Sequence, residues 1–483
     1  MTRTTPFNLS ALVLAVALLS QPALAQNDVT ADDQALTELE ALANSESQPQ
    51  TLPSLPELLA RALRHDSDLT RQRYELDATQ EEVPMARSQL LPQISATGGY
   101  LWQDSTNIQT VGDEDLGQPA TRPGEIDETY YQVQLQQPLF SLERWRKMDV
   151  ASAQVSAAEL QLAVVEQELA IQVSEAYVKA YLAAQRSGLL EAQQKSLDLQ
   201  VRQASRAFDL GVGNRVDLLE AQSRYDQAVS DAVEAENELD NALSELERLT
   251  GVMPEFQSSA PGELTTVTLN NDIGDPEAWI ARTNQNLNVL YASEEQQVVQ
   301  ADSSVRRSGY YPELNLNLSY SDRVSDDELR ESEDYRASVE LSVPIYRGGY
   351  TNASVRQGEK RIEAGLAALD NERNLAIQEV RQRIRALNGG ERRLEALNQA
   401  ISSSQLFLDA AERGEQLGLR DLVDVLDARA SLYDQRIQYV DTVGNYALDT
   451  LALHAAVGSL ESDDLARIME LLASMSTSAQ VAR

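Results

Sequence analysis

The chain repeats itself, and an internal duplication limits the folds open to it more than any single motif does. Arg87-Ser88 followed by Pro92 returns 220 residues later as Arg307-Ser308 followed by Pro312. Gln137-Pro138-Leu139-Phe140 returns 206 residues later as Val343-Pro344-Ile345-Tyr346. Leu210-Gly211, followed by Val216-Asp217-Leu218-Leu219-Glu220-Ala221, returns 207 residues later as Leu417-Gly418, followed by Val423-Asp424-Val425-Leu426-Asp427-Ala428. Leu249-Thr250-Gly251 returns as Ala456-Val457-Gly458. The offset shifts by more than a residue only between Pro92 and Pro138, where the first copy is 14 residues longer, as a variable loop would be. The copies span 53–251 and 275–458, and a linker over 252–274 carries Pro254, Pro261, Gly262 and Gly274.

Each copy holds two segments of strict alternation. Leu314, Leu316, Leu318 and Tyr320 alternate with Asn315, Asn317 and Ser319. Tyr131, Val133 and Leu135 alternate with glutamines, and Ala337, Val339, Leu341 and Val343 with Ser338, Glu340 and Ser342. Ile94, Ala96 and Gly98 leading to Tyr100 form a weaker fourth case. A period of two predicts strands with one apolar and one polar face, at about 93–102, 130–138, 313–320 and 335–343. The polar faces are mainly Asn, Gln and Ser, which suits a wet lumen. Tyr100, Trp102, Tyr130, Phe140, Trp145, Tyr310, Tyr311, Tyr320, Tyr335 and Tyr346 bound the segments, as interfacial girdles would. Four strands cannot close a membrane barrel, which starts at about eight. Strands that enter lipid therefore require several chains to share one barrel.

Between the strand pairs the sequence predicts very long helices, at about 141–209, 214–250, 350–416 and 420–457. Residues 141–209 lack proline and are rich in Ala, Gln, Glu and Leu. A continuous helix of that length would run roughly 100 Å at 1.5 Å per residue. Leu160, Val164, Leu169, Val173, Tyr177 and Tyr181 recur at helical spacing, so one stripe packs on a neighbour. Such lengths predict antiparallel coiled-coil hairpins, turning at Gly211 with Gly213 and at Gly418. Gly389-Gly390 predicts a kink or bulge in the third long helix.

Composition removes most other readings. The formal net charge of −36 opposes nucleic-acid binding and docking on anionic lipid through a basic patch. The absence of cysteine excludes disulfides, thiolate metal sites, cysteine nucleophiles and a lipid-modified N-terminal cysteine. His65 and His454 are the only histidines and lie far apart in sequence. No G-x-S-x-G, H-E-x-x-H or P-loop occurs, and Gly211-Val212-Gly213 lacks the third glycine of a nucleotide fingerprint. No catalytic, cofactor-binding or metal site is expected. Arg3, the apolar run Leu9–Leu19 and Ala23-Leu24-Ala25 read as a secretory signal over 1–25, so the mature chain is expected to begin at Gln26. Residues 26–52 carry six acids and no base, and are expected to be a poorly ordered acidic extension. Residues 459–483 are expected as a C-terminal tail.

The pattern resembles the TolC-like outer-membrane channel proteins. The resemblance covers about 53–470 and is carried most specifically by Leu417–Ala428 (LGLRDLVDVLDA), Leu239–Gly251 (LDNALSELERLTG) and Val343–Gly349 (VPIYRGG). It implies an α+β membrane fold and a homotrimer. Each chain would supply four strands to a twelve-stranded barrel in the outer membrane of a Gram-negative cell. Its long helices would add to a periplasmic α-barrel. It implies an exit duct for an efflux pump or type I secretion system, meeting a periplasmic adaptor protein and an inner-membrane transporter.

The resemblance also assigns a gate at the periplasmic mouth. The carboxylates that ring the pore fall on Asp424 and Asp427, whose spacing of three puts them on one helix face. A linking arginine and its aspartate fall on Arg420 and Asp217. A tyrosine expected three residues before the turn glycine is Glu415 here. Gly211 and Gly418 mark the hairpin tips that would meet the adaptor. On residues alone, Asp424 and Asp427 read first as solvated surface charges, and the alternative for Arg420 is to pair with Asp424 on its own helix. A soluble coiled-coil scaffold and an exported enzyme are the competing classes. The four amphipathic strands argue against the first, and the histidine and cysteine counts against the second.

Overall fold

A computed structural model describes residues 54–104, 125–254, 256, 267, 273–326 and 330–477. The signal, the acidic extension and most of the linker and of the first strand–strand loop lie outside the described residues.

Each repeat opens with a short helical lead. In the first, α1 (Leu55–His65), α2 (Ser67–Gln80) and α3 (Glu82–Ser88) precede β1 (Gln93–Asp104) and β2 (Glu125–Ser141). Then come the long helices α4 (Leu142–Asp209) and α5 (Arg215–Thr250). In the second, α6 (Pro276–Ala281), a 3-10 turn and α7 (Leu287–Ser308) precede β3 (Glu313–Ser325) and β4 (Ser332–Ser342). The long helices α8 (Tyr350–Gln416) and α9 (Leu422–Ala456) follow. The duplication reaches the helix caps. Asp66 caps α2 by accepting from the Leu69 N–H at 2.8 Å, and Asn286 caps α7 by accepting from Val289 at 3.2 Å. Pro84 accounts for the break between α2 and α3, since it lacks the N–H that would bond back to Gln80. The second copy has Ser304 there, and α7 runs unbroken.

The strands pair in chain order, β1-β2-β3-β4, all antiparallel. Their register converts the alternation into two-dimensional faces. Ile94, Leu135, Leu318 and Ala337 stand in one row across the sheet. Gln93, Gln136, Asn317 and Ser338 form a row on the other face. A bulge between Pro138 and Phe140 on β2, where proline interrupts the ladder, keeps Phe140 opposite Leu314 on the apolar face. That face is open: Val339 and Leu341 are each 62% exposed.

The long helices form the expected hairpins, α4 with α5 and α8 with α9. The main core lies where both hairpins meet α1. Tyr177, Tyr181, Leu246, Tyr439, Val443 and Leu451 are buried there. Gly389-Gly390 does not break α8; the helix continues through it, and Gly390 passes so close to the Tyr446 ring that a Cβ would meet it at 3.2 Å. Residues expected only as a tail form α10 (Ser462–Thr477), whose Leu465, Ile468, Leu472 and Met475 enter the same core. The histidines stay apart: the His65 ring lies against Gly251, and His454 approaches Asp464 at 3.3 Å.

Tyr181 ties α10 in place, its buried hydroxyl donating to the Leu472 carbonyl at 2.7 Å. Tyr181→Phe should cost about 1 kcal/mol and leave a buried carbonyl without that partner. Hydrogen exchange should quicken over 462–477 before it does over α9; equal protection in both proteins would contradict the tie.

Candidate functional site: the hairpin tips and the open sheet

Both hairpins turn in the same way. Gly211 and Gly418 adopt left-handed φ values of 73° and 70°. Around the first, Val212 N–H donates to the Ala207 carbonyl at 3.0 Å and Gly211 N–H to Phe208 at 3.0 Å. Around the second, Leu419 N–H donates to Gly414 at 2.8 Å and Gly418 N–H to Glu415 at 2.9 Å. These paired bonds satisfy the last carbonyls of α4 and α8, and the αL position is why glycine stands at both tips. The turns present apolar side chains to solvent: Leu210 is 77% exposed, Val212 81%, Leu417 73% and Leu419 77%. Both tips therefore leave apolar side chains uncovered within the chain.

One turn above the second tip lie the two motif aspartates. Asp424 accepts from Arg420 of the turn just before α9 at 3.3 Å, and the Arg420 guanidinium also lies 5.8 Å from the Phe407 ring centre. Arg420 therefore turns to the first turn of α9, and Asp217 forms no ion pair with it within the chain, among the described residues. The sequence suggests a link to Asp217; within the chain Arg420 instead meets Asp424, four residues on, at the start of a helix that was expected from 420 and begins at Leu422. Asp427 is engaged across the hairpins, by Arg224 of α5 at 2.7 Å. Arg224 also holds Glu220 at 3.1 Å. Glu220 and Asp427 occupy equivalent places in the two repeats, so one arginine bridges a duplicated carboxylate position.

Sequence reasoning missed Arg224. Its one local signal was Glu220 four residues before it, which predicts only a pair within the helix. A second cross-hairpin donor, Arg429, bonds Ser196 of α4 as well as Glu412 of α8. Beneath these bonds Leu197, Ala228 and Leu426 pack from α4, α5 and α9 into a small core.

At the opposite end of the chain the sheet carries the second functional surface. Its apolar face ends in aromatic side chains that donate to carboxylates: Tyr100 to Asp127 at 2.5 Å, Trp102 to Glu125 at 3.0 Å and Tyr335 to Glu333 at 2.8 Å. An apolar band bounded by anchored aromatics is the pattern of a barrel wall in lipid. No helix among the described residues is long and apolar enough to cross a membrane.

The model for the outer membrane efflux protein family matches residues 58–252 and 282–459, following the two copies of the repeat. The chain belongs to this family. It is 29% identical over 419 residues to the outer membrane protein TolC of Vibrio cholerae, which covers 85% of this chain and 92% of that one. It is 28% identical to the alkaline protease secretion protein AprF of Pseudomonas aeruginosa, over 84% of each chain. Its fold matches the outer membrane protein VceC of Vibrio cholerae with a TM-score of 0.69 at 17% identity, covering 84% of this chain and 96% of that one. The CmeC outer membrane channel of Campylobacter jejuni gives 0.70 at 15%, covering 91% and 96%. The protein is thus an outer-membrane exit duct of the efflux and secretion type, with a helical tunnel and a β-barrel, and it is not an enzyme.

The small core at the tip makes a direct prediction. Leu426 is 2% exposed and joins three helices. Leu426→Ala should cost about 2–4 kcal/mol of local packing. Protease cutting within 405–432 should become faster while the main core stays protected, and unchanged cutting would show that the hairpins do not dock there.

Proposed function

We propose that three copies of the chain assemble into one duct, and that the second hairpin of each copy forms a gate at the periplasmic mouth. The observation that carries this is the open sheet. β1 and β4 each leave one edge unpaired, and the sheet has a continuous apolar face. Lipid does not tolerate unpaired backbone groups, so β1 of one chain must pair with β4 of the next. Three chains of four strands make a twelve-stranded barrel, which clears the lower limit of about eight.

In such a trimer Asp424 and Asp427 would bring six carboxylates to the mouth. The exposed leucines and glycine turns around Gly211 and Gly418 would form the contact surface for a periplasmic adaptor, and through it an inner-membrane transporter. Arg420 and Asp217 do not meet within one chain, so their link would form between neighbouring chains of the ring. Single substitutions of either would then raise resting conductance, and combining them would add little more.

The assembly test is the mass of the detergent-extracted protein. A trimer is expected, and a monomer with a stable lipid-inserted sheet would overturn the proposal. The gate test is ion preference in planar bilayers. Replacing Asp424 and Asp427 by alanine removes two anions per chain and leaves Arg420 and Arg224 without those partners. The reversal potential under a salt gradient should move toward anions. An unchanged potential would remove both aspartates from the pore.

A further inference from the structure

Helices α5 and α9 both begin at a hairpin tip and run away from it, so they lie parallel where the hairpins meet. The Arg224–Asp427 bond of 2.7 Å fixes their register. Packed parallel helices bring the next facing positions seven residues further along each chain. Those positions are Asp231 opposite Asp434, then Glu238 opposite Asp441. The seam therefore has one attractive pair at the tip and two acid–acid pairs above it. Glu238 is bonded sideways to Arg186 of α4 at 2.9 Å. Among the described residues no basic side chain bonds Asp434 or Asp441.

The electrostatics follow that geometry. Burial, reinforced by Asp231, pushes the Asp434 carboxyl above the ordinary aspartate range. Burial also pushes Asp441 up; Arg186 of α4 and Arg393 of α8 oppose the shift, and Glu238 adds to it. Both residues keep exposed surface, so protons reach them.

We propose that the α5–α9 seam is a pH-sensitive spring, in which Arg224 clasps the second hairpin to the first while the two acids above it, Asp434 facing Asp231 and the partly buried Asp441, resist docking when ionised. The inference rests on the duct reading and adds a regulation to its gate. Its sign follows from which form holds protons. Raised carboxyl values mean that the docked seam binds protons more readily than the separated one. Docking is therefore weakest at neutral and alkaline pH, and strengthens as pH falls through the raised values toward the ordinary aspartate range. For each proton taken up, the closed–open ratio changes by at most about tenfold per pH unit. The mouth should close more firmly in acid, and the loss of the clasp should be felt most at high pH.

Conductance of the purified full-length protein in planar bilayers, measured from pH 8 to pH 5, tests this. Wild type should lose conductance as the pH falls. Asp434→Asn combined with Asp441→Asn is nearly isosteric and removes both ionisable carboxyls. It should start several-fold lower at pH 8 and show a flattened profile. Arg224→Ala should start higher than wild type at pH 8, and fall toward it in acid. Should the double asparagine variant keep the wild-type pH profile, the spring is wrong and the duct stands. Should the wild-type protein form no pores, the duct reading fails and the spring with it.

Discussion

An unpaired backbone N–H or C=O in hydrocarbon costs several kcal/mol, and each copy of this sheet carries two rows of them, along β1 and β4. The rest of the molecule is arranged around that liability. β2 leads into α4 with no intervening loop: Ser141 ends the strand, accepts from the Arg144 N–H as the helix cap and donates to Glu313 of β3. One side chain thus joins the barrel wall to the tunnel wall. The second repeat solves the same junction differently, through Pro344 and the left-handed pair Gly348-Gly349 before α8. The direction in which each hairpin leaves the sheet is therefore set within a few residues of the lipid boundary.

Helices of 68 and 67 residues cannot be held by one core. The chain distributes small apolar clusters along them. Val289, Leu369 and Ala376 pack α7 against α8 nearer the sheet; the tyrosine-rich core closes the middle; Leu197, Ala228 and Leu426 close the tip. Between clusters the surfaces are polar, and exposed pairs within one helix contribute only about 0.3–0.5 kcal/mol each. Stability is therefore concentrated in the middle, where α10 and α1 add their faces. The tips rest on smaller clusters than the middle does.

Much of this was legible in the sequence because the signals were local. The helix α4 was expected over 141–209 and spans Leu142–Asp209; α8 was expected over 350–416 and spans Tyr350–Gln416. Long runs without proline, ended by glycine turns, leave little room for error. The strands were harder. β2 was expected from 130 and begins at Glu125, because Asp127 and Glu128 break the apolar pattern while still pairing with Trp102 and Leu101. Acidic residues at the outer end of a strand look like loop to a periodicity argument. The tip contacts were illegible for a different reason. Arg224 and Asp427 are 203 residues apart, and nothing in a single sequence states which heptad of α5 faces which heptad of α9. The motif suggests a cross-hairpin link from Arg420 to Asp217 without measuring the distance, and within the chain Arg420 pairs with Asp424.

The two motif aspartates, three residues apart on one face, are used unequally. Asp424 is paired with Arg420 of its own hairpin turn, with both side chains nearly half exposed, and such a pair cannot hold one hairpin against another. Asp427 is paired across the seam with an arginine that also holds Glu220, so moving the second hairpin means breaking a bond to the first. The same motif thus separates its duties. One carboxylate is paired on its own hairpin, and the other reaches an arginine of the first hairpin. A net charge of −36 makes the division necessary, since acids recur along the helices and arginines are too few to neutralise each one. On the proposed spring, the arginine clasp at the seam holds the hairpins together and the acids above it resist docking once ionised.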